Sequence, residues 1–252
     1  MADRSTRIDL PEPALQEIET LARRMAAAQG PAMRLLNFLG GTIENRLERL
    51  PDRVKDSIEA GAGAVLEQSY RAARTIGGHA AMPKVGAWAH RLAAATSGAA
   101  GGAGGLPSAL IELPATVTLI FGAMQKIAAE HGFDPVSEET RLTCLEIFGS
   151  GGPGVRDDGV NSTFLGARLG INGTTLHAVI ARIAPRFAAA ASQKLASQMV
   201  PVLGAAAGAG VNYAFMEYYQ EMAQVRFGLK RLAQAHGEEA VLGAFRARLA
   251  RA

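Results

Sequence analysis

Residues 195–216, LASQMVPVLGAAAGAGVNYAFM, form a long uncharged run in which small side chains predominate. The run exceeds the roughly 20 residues that a helix needs to cross a bilayer. It is poor in Leu, Ile and Phe, however, and it contains Ser197, Gln198, Pro201 and Asn212, so its insertion free energy would be marginal. We therefore interpret it first as a buried central helix hairpin, second as a segment that docks on a membrane face, and last as a spanning helix.

Helical periodicity extends over the rest of the chain. Between residues 14 and 28, the apolar residues Leu15, Ile18, Leu21 and Met25 fall on one face of a predicted helix. No stretch shows the sustained period-2 alternation that is typical of a strand. The sequence therefore predicts an all-α fold, a single-domain helical bundle with Gly/Ala-rich central helices.

Glycine and proline mark the expected helix boundaries. Residues 97–105, SGAAGGAGG, are predicted to form a flexible break, and residues 132–135, GFDP, a turn. Residues 1–82 are expected to supply N-terminal helices and residues 83–252 the helical core, in one continuous domain. Besides residues 14–28, helices are expected at residues 32–50, from residue 52 to about 76, and at 83–95, 107–131 (bent or interrupted near Pro114), 137–149, 161–183, 185–199, 201–235 and 238–252.

The composition narrows the class of protein. A hydrophobic fraction of 48% allows a sizeable buried core, and a net charge of +3 is too small to indicate nucleic-acid binding. The single cysteine, Cys144, excludes an internal disulfide and favours a reducing compartment. Residues 1–13 mix both charge signs and lack an apolar secretory segment, so the sequence predicts a cytoplasmic location.

Acidic residues are absent from two long stretches of the chain. One stretch lies between Glu67 and Glu112, and the other between Asp158 and Glu217. Each begins with basic residues and continues into an uncharged run, a layout typical of proteins that dock on anionic lipid. The layout predicts anionic membrane lipid or a membrane protein complex as the partner, at the inner face of the cell membrane. The basic residues are Arg71, Arg74, Lys84 and Arg91 in the first stretch, and Arg168, Arg182, Arg186 and Lys194 in the second.

Two stretches of the chain resemble the EcsC family. The first, residues 112–148, combines a Glu-Leu-Pro opening at residues 112–114, an apolar helix to residues 127–128, the Gly-Phe-Asp turn at residues 132–134 and a helix at residues 141–148. The second carries Pro201, Gly204, Gly208, Asn212, Tyr213 and Phe215, and runs on to Phe227 and Arg231. One departure is Gly122, where the family pattern leads us to expect an arginine or another larger residue. The resemblance implies a bacterial protein, because the family is named for a bacterial gene beside an ABC transporter operon, and it implies no particular reaction.

Glu112 is the most conspicuous candidate binding residue, because it stands alone between two uncharged runs. An unpaired buried carboxylate is costly. Glu112 is therefore expected to pair with a basic residue such as Arg91 or Lys194, to cap the helix at Pro114, or to lie exposed at a helix start. Asn212 lies within an apolar helix and is expected to form hydrogen bonds across a helix interface. The sequence thus predicts Glu112, Asn212, Arg91 and Lys194 as binding residues.

No catalytic, cofactor or metal motif is recognisable in the sequence. The five histidines lack HExxH spacing, and Cys144 is expected to be a core residue rather than a nucleophile. Residues 149–154, GSGGPG, with Arg156 could cradle an anion, although a plain loop is favoured. Accordingly no cofactor and no metal are expected, and no catalytic residue is predicted.

Three functions follow from these patterns. The favoured one is a non-enzymatic peripheral membrane or membrane-protein-associated factor. The second is a hydrolase or other enzyme with a site near Glu112 and the loop at residues 149–158. The third is a soluble scaffold for protein partners, which differs from the first in lacking lipid association.

Overall fold

The computed structural model describes residues 10–28, 61, 63–72, 87–103, 105–150, 179–180, 183–184 and 201–251. Six helices have defined bounds in this part of the chain, residues 63–72 are also helical, and no strand occurs among the described residues. The predicted all-α fold is confirmed. The helices are α1 (Glu12–Ala28), α2 (Ala87–Ala103), α3 (Gly105–Glu130), α4 (Glu138–Ser150), α5 (Pro201–His236) and α6 (Glu238–Leu249).

Helix α5 is the central element of the bundle. Its 36 residues correspond to a length of about 54 Å at the usual rise per residue. Each of the other five helices packs against α5, and α2 does so most extensively. Helices α1 and α6 also pack together, as do α2 and α3. Most of the uncharged run therefore lies at the start of the helix that the other five described helices contact.

An aromatic cluster joins four helical segments at the centre of the bundle. The Tyr70 ring lies edge-on to Phe121 with 5.4 Å between centroids, and Phe121 lies 5.2 Å from Phe148. Phe148 in turn stacks on Tyr219 of α5 at 4.9 Å. Aromatic pairs at these separations add to the free energy gained from burial. The cluster therefore fixes residues 63–72, α3 and α4 on the inner face of α5.

The turn between α3 and α4 has the local chemistry that its sequence predicts. Gly132 adopts a φ of +86°, a conformation that side chains other than glycine rarely accept. The backbone N–H of Val136 donates to the Asp134 carboxylate at 3.0 Å, and the N–H of Thr140 donates to Ser137 Oγ at 3.1 Å. Ser137 thus caps α4, and the predicted turn and helix start are confirmed.

The flexible break predicted at residues 97–105 is wrong for most of its length. Helix α2 continues to Ala103, and α3 begins at Gly105. A glycine costs a helix about 1 kcal/mol relative to alanine, and packing of α2 along α5 offsets that cost. Helix α3 likewise runs through Pro114 without interruption. The Pro114 carbonyl accepts hydrogen bonds from the hydroxyls of Thr118 at 2.8 Å and Ser69 at 3.2 Å.

The remaining helix boundaries agree with the sequence or lie outside the described residues. Helices α1, α5 and α6 match the predicted helices closely, with α6 ending at Leu249. The helices predicted at residues 32–50 and 185–199, and nearly all of that at residues 161–183, fall on residues outside the described ranges. The division at residues 82–83 stays a prediction.

Candidate interaction surface on α2 and α5

Arg91 fastens α2 to α5 through three side chains on one face of α5. Its Nη1 donates to Glu217 at 2.7 Å, its Nε to Gln220 at 2.9 Å and its Nη2 to Glu221 at 3.4 Å. These partners are three and four residues apart, so they share one helix face. Glu221 also accepts a hydrogen bond from Arg24 of α1 at 2.9 Å. The cluster therefore links three helices and surrounds the Arg91 guanidinium with two carboxylates.

Asn212 links α5 to two further helices from a fully buried position. Its Nδ2 donates to the backbone carbonyl of Ala94 in α2 at 3.0 Å and to the Thr116 hydroxyl in α3 at 3.1 Å. The predicted hydrogen bonding of Asn212 across a helix interface is confirmed. Arg91 and Asn212 thus both act at the α2–α5 interface, Arg91 at its edge and Asn212 inside it.

The structure gives less information on the other two predicted binding residues, Glu112 and Lys194. Glu112 lies within α3, away from either end of that helix, and its side chain is outside the described part of the molecule. Lys194 lies outside the described residues altogether. The carboxylates that the structure pairs with Arg91 are Glu217 and Glu221 of α5. The expectation that Glu112 caps a helix at Pro114 or lies at a helix start is wrong, because α3 already begins at Gly105. Its role in binding stays a prediction.

Three large apolar or aromatic side chains are exposed around Arg91. Trp88 is 67% exposed and Leu92 is 53% exposed, and their spacing of four residues puts them on one face of α2. Tyr213 of α5 is 39% exposed, and the Arg91 guanidinium carbon lies 6.0 Å from its ring centroid. We call Trp88, Leu92 and Tyr213 the α2 patch. Exposed apolar groups clustered in this way are typical of interaction surfaces.

The opposite side of α2 is buried and carries His90. Burial lowers the pKa of His90 below its ordinary value of 6.5, the positive charge of Lys126 lowers it further, and Glu130 partly offsets both. No hydrogen-bond partner of His90 Nε2 is found among the described residues. The folded protein therefore favours the neutral form of His90, and α2 has one buried side and one exposed apolar side.

Two buried cations on α5 face the acidic side of α4. Arg226 Nη2 lies 3.4 Å from Glu146, and Lys230 Nζ lies 2.8 Å from Glu139. Burial lowers the pKa of Arg226, and Glu146 opposes that shift. The Lys230 ammonium also donates to the Thr143 hydroxyl at 3.3 Å. Because each buried cation has an acidic or polar partner on α4, these contacts hold α4 on α5.

The structure gives the remaining candidate groups a core role. Cys144 is fully buried, and burial raises the pKa of its thiol, an effect that Lys230 partly offsets. A protonated, inaccessible thiol is a poor nucleophile, so the predicted core role of Cys144 fits its position.

Within the described ranges, no three His, Cys, Asp or Glu side chains are grouped closely enough to bind a metal ion. None of the helices described here has the length and apolarity to span a membrane.

Sequence reasoning missed the α2 patch and the carboxylate partners of Arg91. Trp88 and Leu92 lie four residues apart, and this spacing was a usable signal. Which face of α2 meets the bundle depends on α5, more than 100 residues away, so the local pattern could not assign it.

The fold and this surface define an all-α helical bundle with an exposed aromatic and aliphatic patch at its edge. The model of the EcsC protein family matches residues 10–232. The match covers most of the chain, so the protein belongs to the EcsC family, and the predicted resemblance is confirmed. The match begins well before residue 83 and includes α1. No curated protein and no solved structure matches the chain.

Proposed function

We propose that this EcsC family protein is a non-enzymatic peripheral membrane protein that docks on an anionic bilayer surface through the α2 patch. The observation that carries the proposal is the exposure of Trp88 and Leu92 on one face of α2. Tryptophan is enriched where protein meets the bilayer interface, because its ring is apolar and its N–H can remain hydrated. The inner face of a bacterial cell membrane is the surface proposed.

The apolar contacts alone would give weak binding. Burying a side chain of the size of leucine contributes about 1.5–3 kcal/mol, and a basic residue near an anionic surface adds about 1 kcal/mol. Arg91 is enclosed by two carboxylates and is a poor source of this attraction. Arg71 likewise pairs with Glu67. We therefore assign the electrostatic part to the other two basic residues of the acid-free stretch, Arg74 and Lys84.

The single tryptophan provides a direct test. An exposed indole emits at long wavelength, so we expect the emission of Trp88 to shift to shorter wavelength when vesicles of phosphatidylcholine and phosphatidylglycerol are added. Vesicles of phosphatidylcholine alone should give a smaller shift, and added salt should reduce the first shift. An emission spectrum that anionic vesicles leave unchanged would contradict docking through α2.

A matched pair of variants distinguishes binding through the α2 patch from non-specific hydrophobic binding. Leu92→Ser should lower vesicle binding in a flotation assay by roughly tenfold, as expected for the loss of one buried aliphatic side chain. Val136→Ser is the control, because Val136 is also an exposed aliphatic residue, at 44%, but lies in the turn before α4. Equal losses in both variants would argue against a specific patch.

Fractionation of cells with the protein at its native level tests the proposed location. We expect the protein in the membrane pellet and its release by a high-salt wash, with any remainder released by carbonate. A protein found wholly in the supernatant would instead favour a soluble scaffold that uses the α2 patch for a protein partner.

A further inference from the structure

A cleft of about 430 Å³ lies between α1 and α6. Its volume is within the range of small-molecule sites in proteins, roughly 300–1,000 Å³. The two helices pack against each other, and both contribute an alanine where they line the cleft. The lining residues are Glu19, Ala22 and Arg23 from α1, and Ala247, Arg248 and Arg251 from α6 and the residues after it.

Positive charge exceeds negative charge in this cleft, with three guanidinium groups and one carboxylate. Glu19 is 3.8 Å from Arg23, and both side chains are well exposed, so the pair is weak. Arg248 Nε is buried with no hydrogen-bond partner among the described residues, while its Nη1 donates to the Ala244 carbonyl at 3.3 Å. The cleft therefore retains donor capacity that its own carboxylate does not use.

The helix dipole explains the position of only some of the arginines in the cleft. A cation in the last turn of a helix is favoured by the negative C-terminal end of the helix dipole, and this accounts for Arg248. It does not account for Arg23, which comes from a different helix and lines the same cleft. Arginines from two different helices thus line the same open cleft.

We propose that this cleft binds the phosphate group of a phosphate ester. The guanidinium fork presents paired N–H donors that match the spacing of phosphate oxygens, and a phosphate has enough oxygens for several arginines at once. The ester is either a soluble phosphorylated small molecule or a lipid headgroup, which share this chemistry. The site involves no residue of the α2 patch, so its test is independent of the proposed function.

Titration calorimetry of the full chain with inorganic pyrophosphate tests the site. Arg23→Gln combined with Arg251→Gln should weaken pyrophosphate binding at least tenfold, and both positions are exposed, so the fold should persist. Glu19→Gln should strengthen binding, because it removes the single carboxylate of the cleft. Arg71→Gln is the matched control, since Arg71 and Arg23 are both 69% exposed and each pairs with a glutamate four residues before it.

The outcomes distinguish binding in the cleft from non-specific attraction to arginine. They also distinguish a soluble ester from a lipid headgroup. Absence of pyrophosphate binding, or equal weakening by Arg71→Gln, would overturn the proposal. With the site established by the calorimetry, flotation on phosphatidylcholine vesicles containing phosphatidic acid distinguishes the sources. A loss of flotation in the double variant, with competition by pyrophosphate, identifies a lipid headgroup, and unchanged flotation identifies a soluble ester.

Discussion

The side-chain amide of Asn212 in α5 donates a hydrogen bond to the backbone carbonyl of Ala94 in α2, with 3.0 Å between nitrogen and oxygen. The same amide nitrogen reaches the Thr116 hydroxyl in α3. One buried polar group therefore helps to set the relative position of three helices from inside the bundle, while the Arg91 cluster links two of them at the edge. Hydrogen bonds of this kind contribute specificity, because a shifted helix would leave a buried donor without its acceptor.

Replacing Asn212 by leucine should destabilise the fold. The change removes both donors and leaves the Thr116 hydroxyl with fewer partners, so we expect a loss of about 1–3 kcal/mol in the free energy of unfolding. Urea denaturation followed by circular dichroism measures it. Thr96→Val is the control, because Thr96 is an exposed residue of the same α2 and should change stability by less than about 0.5 kcal/mol. Equal stability of wild type and Asn212→Leu would refute the assigned role.

Gly149 allows the segment carrying Ile183 to approach α4 closely. A Cβ at position 149 would overlap Ile183 Cγ1 and lie 2.8 Å from its Cδ1. Ile183 is itself buried, so it has little room to move. Gly149→Ala should therefore lower the free energy of unfolding by about 1–3 kcal/mol, as expected for overpacking.

Gly243→Ala is the control for this substitution. Gly243 lies in α6, and a Cβ there would meet nothing within 4 Å. Alanine at that position should stabilise the protein by about 0.5–1 kcal/mol, because glycine costs a helix that amount. Thermal unfolding of the two variants should thus shift the midpoint in opposite directions, and a stabilising Gly149→Ala would be incompatible with the close contact.

Local sequence patterns predicted most of the fold because much of it is locally determined. The apolar face of α1, the glycine turn at Gly132 and the serine cap at Ser137 each depend on neighbouring residues, and all three occur as expected. The glycines of residues 97–103 were misinterpreted for the opposite reason. Their helix is formed against α5, which is distant in sequence, and packing outweighed the low helix propensity of glycine.

The candidate site was less predictable because it depends on pairings across the bundle. Asn212 could be predicted, since a buried amide requires partners whatever they are. The partners of Arg91 could not be predicted, because the sequence offers many acidic residues. Glu217 and Glu221 reach Arg91 only because two helices distant in sequence pack side by side. Gly149 was considered as part of an anion cradle, whereas its packing against Ile183 explains the glycine by steric fit.

Glu146→Gln should weaken the contact between α4 and α5. Arg226 is almost fully buried, and the Glu146 carboxylate lies 3.4 Å from its guanidinium group. Neutralising that partner leaves a buried cation less compensated, and we expect a loss of about 1–3 kcal/mol in the free energy of unfolding. Glu12→Gln is the control, because Glu12 is an exposed helix-start residue and should change stability by less than about 0.5 kcal/mol. A urea midpoint for Glu146→Gln as high as that of the control would show that Arg226 needs no anion.

The free energy of unfolding should fall as the pH is lowered, and His90 should account for part of that fall. The pKa of His90 is lowered in the folded state by burial and by Lys126, so the unfolded chain binds the proton more readily. The free energy of unfolding therefore decreases as the pH falls below the unfolded pKa of about 6.5 and continues to decrease until the lower folded pKa is passed. Urea midpoints measured between about pH 7.5 and 5 should drop less steeply in His90→Gln than in wild type. Lys126 lowers the pKa of His90 and Glu130 raises it. Lys126→Gln should therefore reduce the dependence of the urea midpoint on pH, and Glu130→Gln should increase it. Changes in the same direction in both variants would contradict the proposed environment of His90.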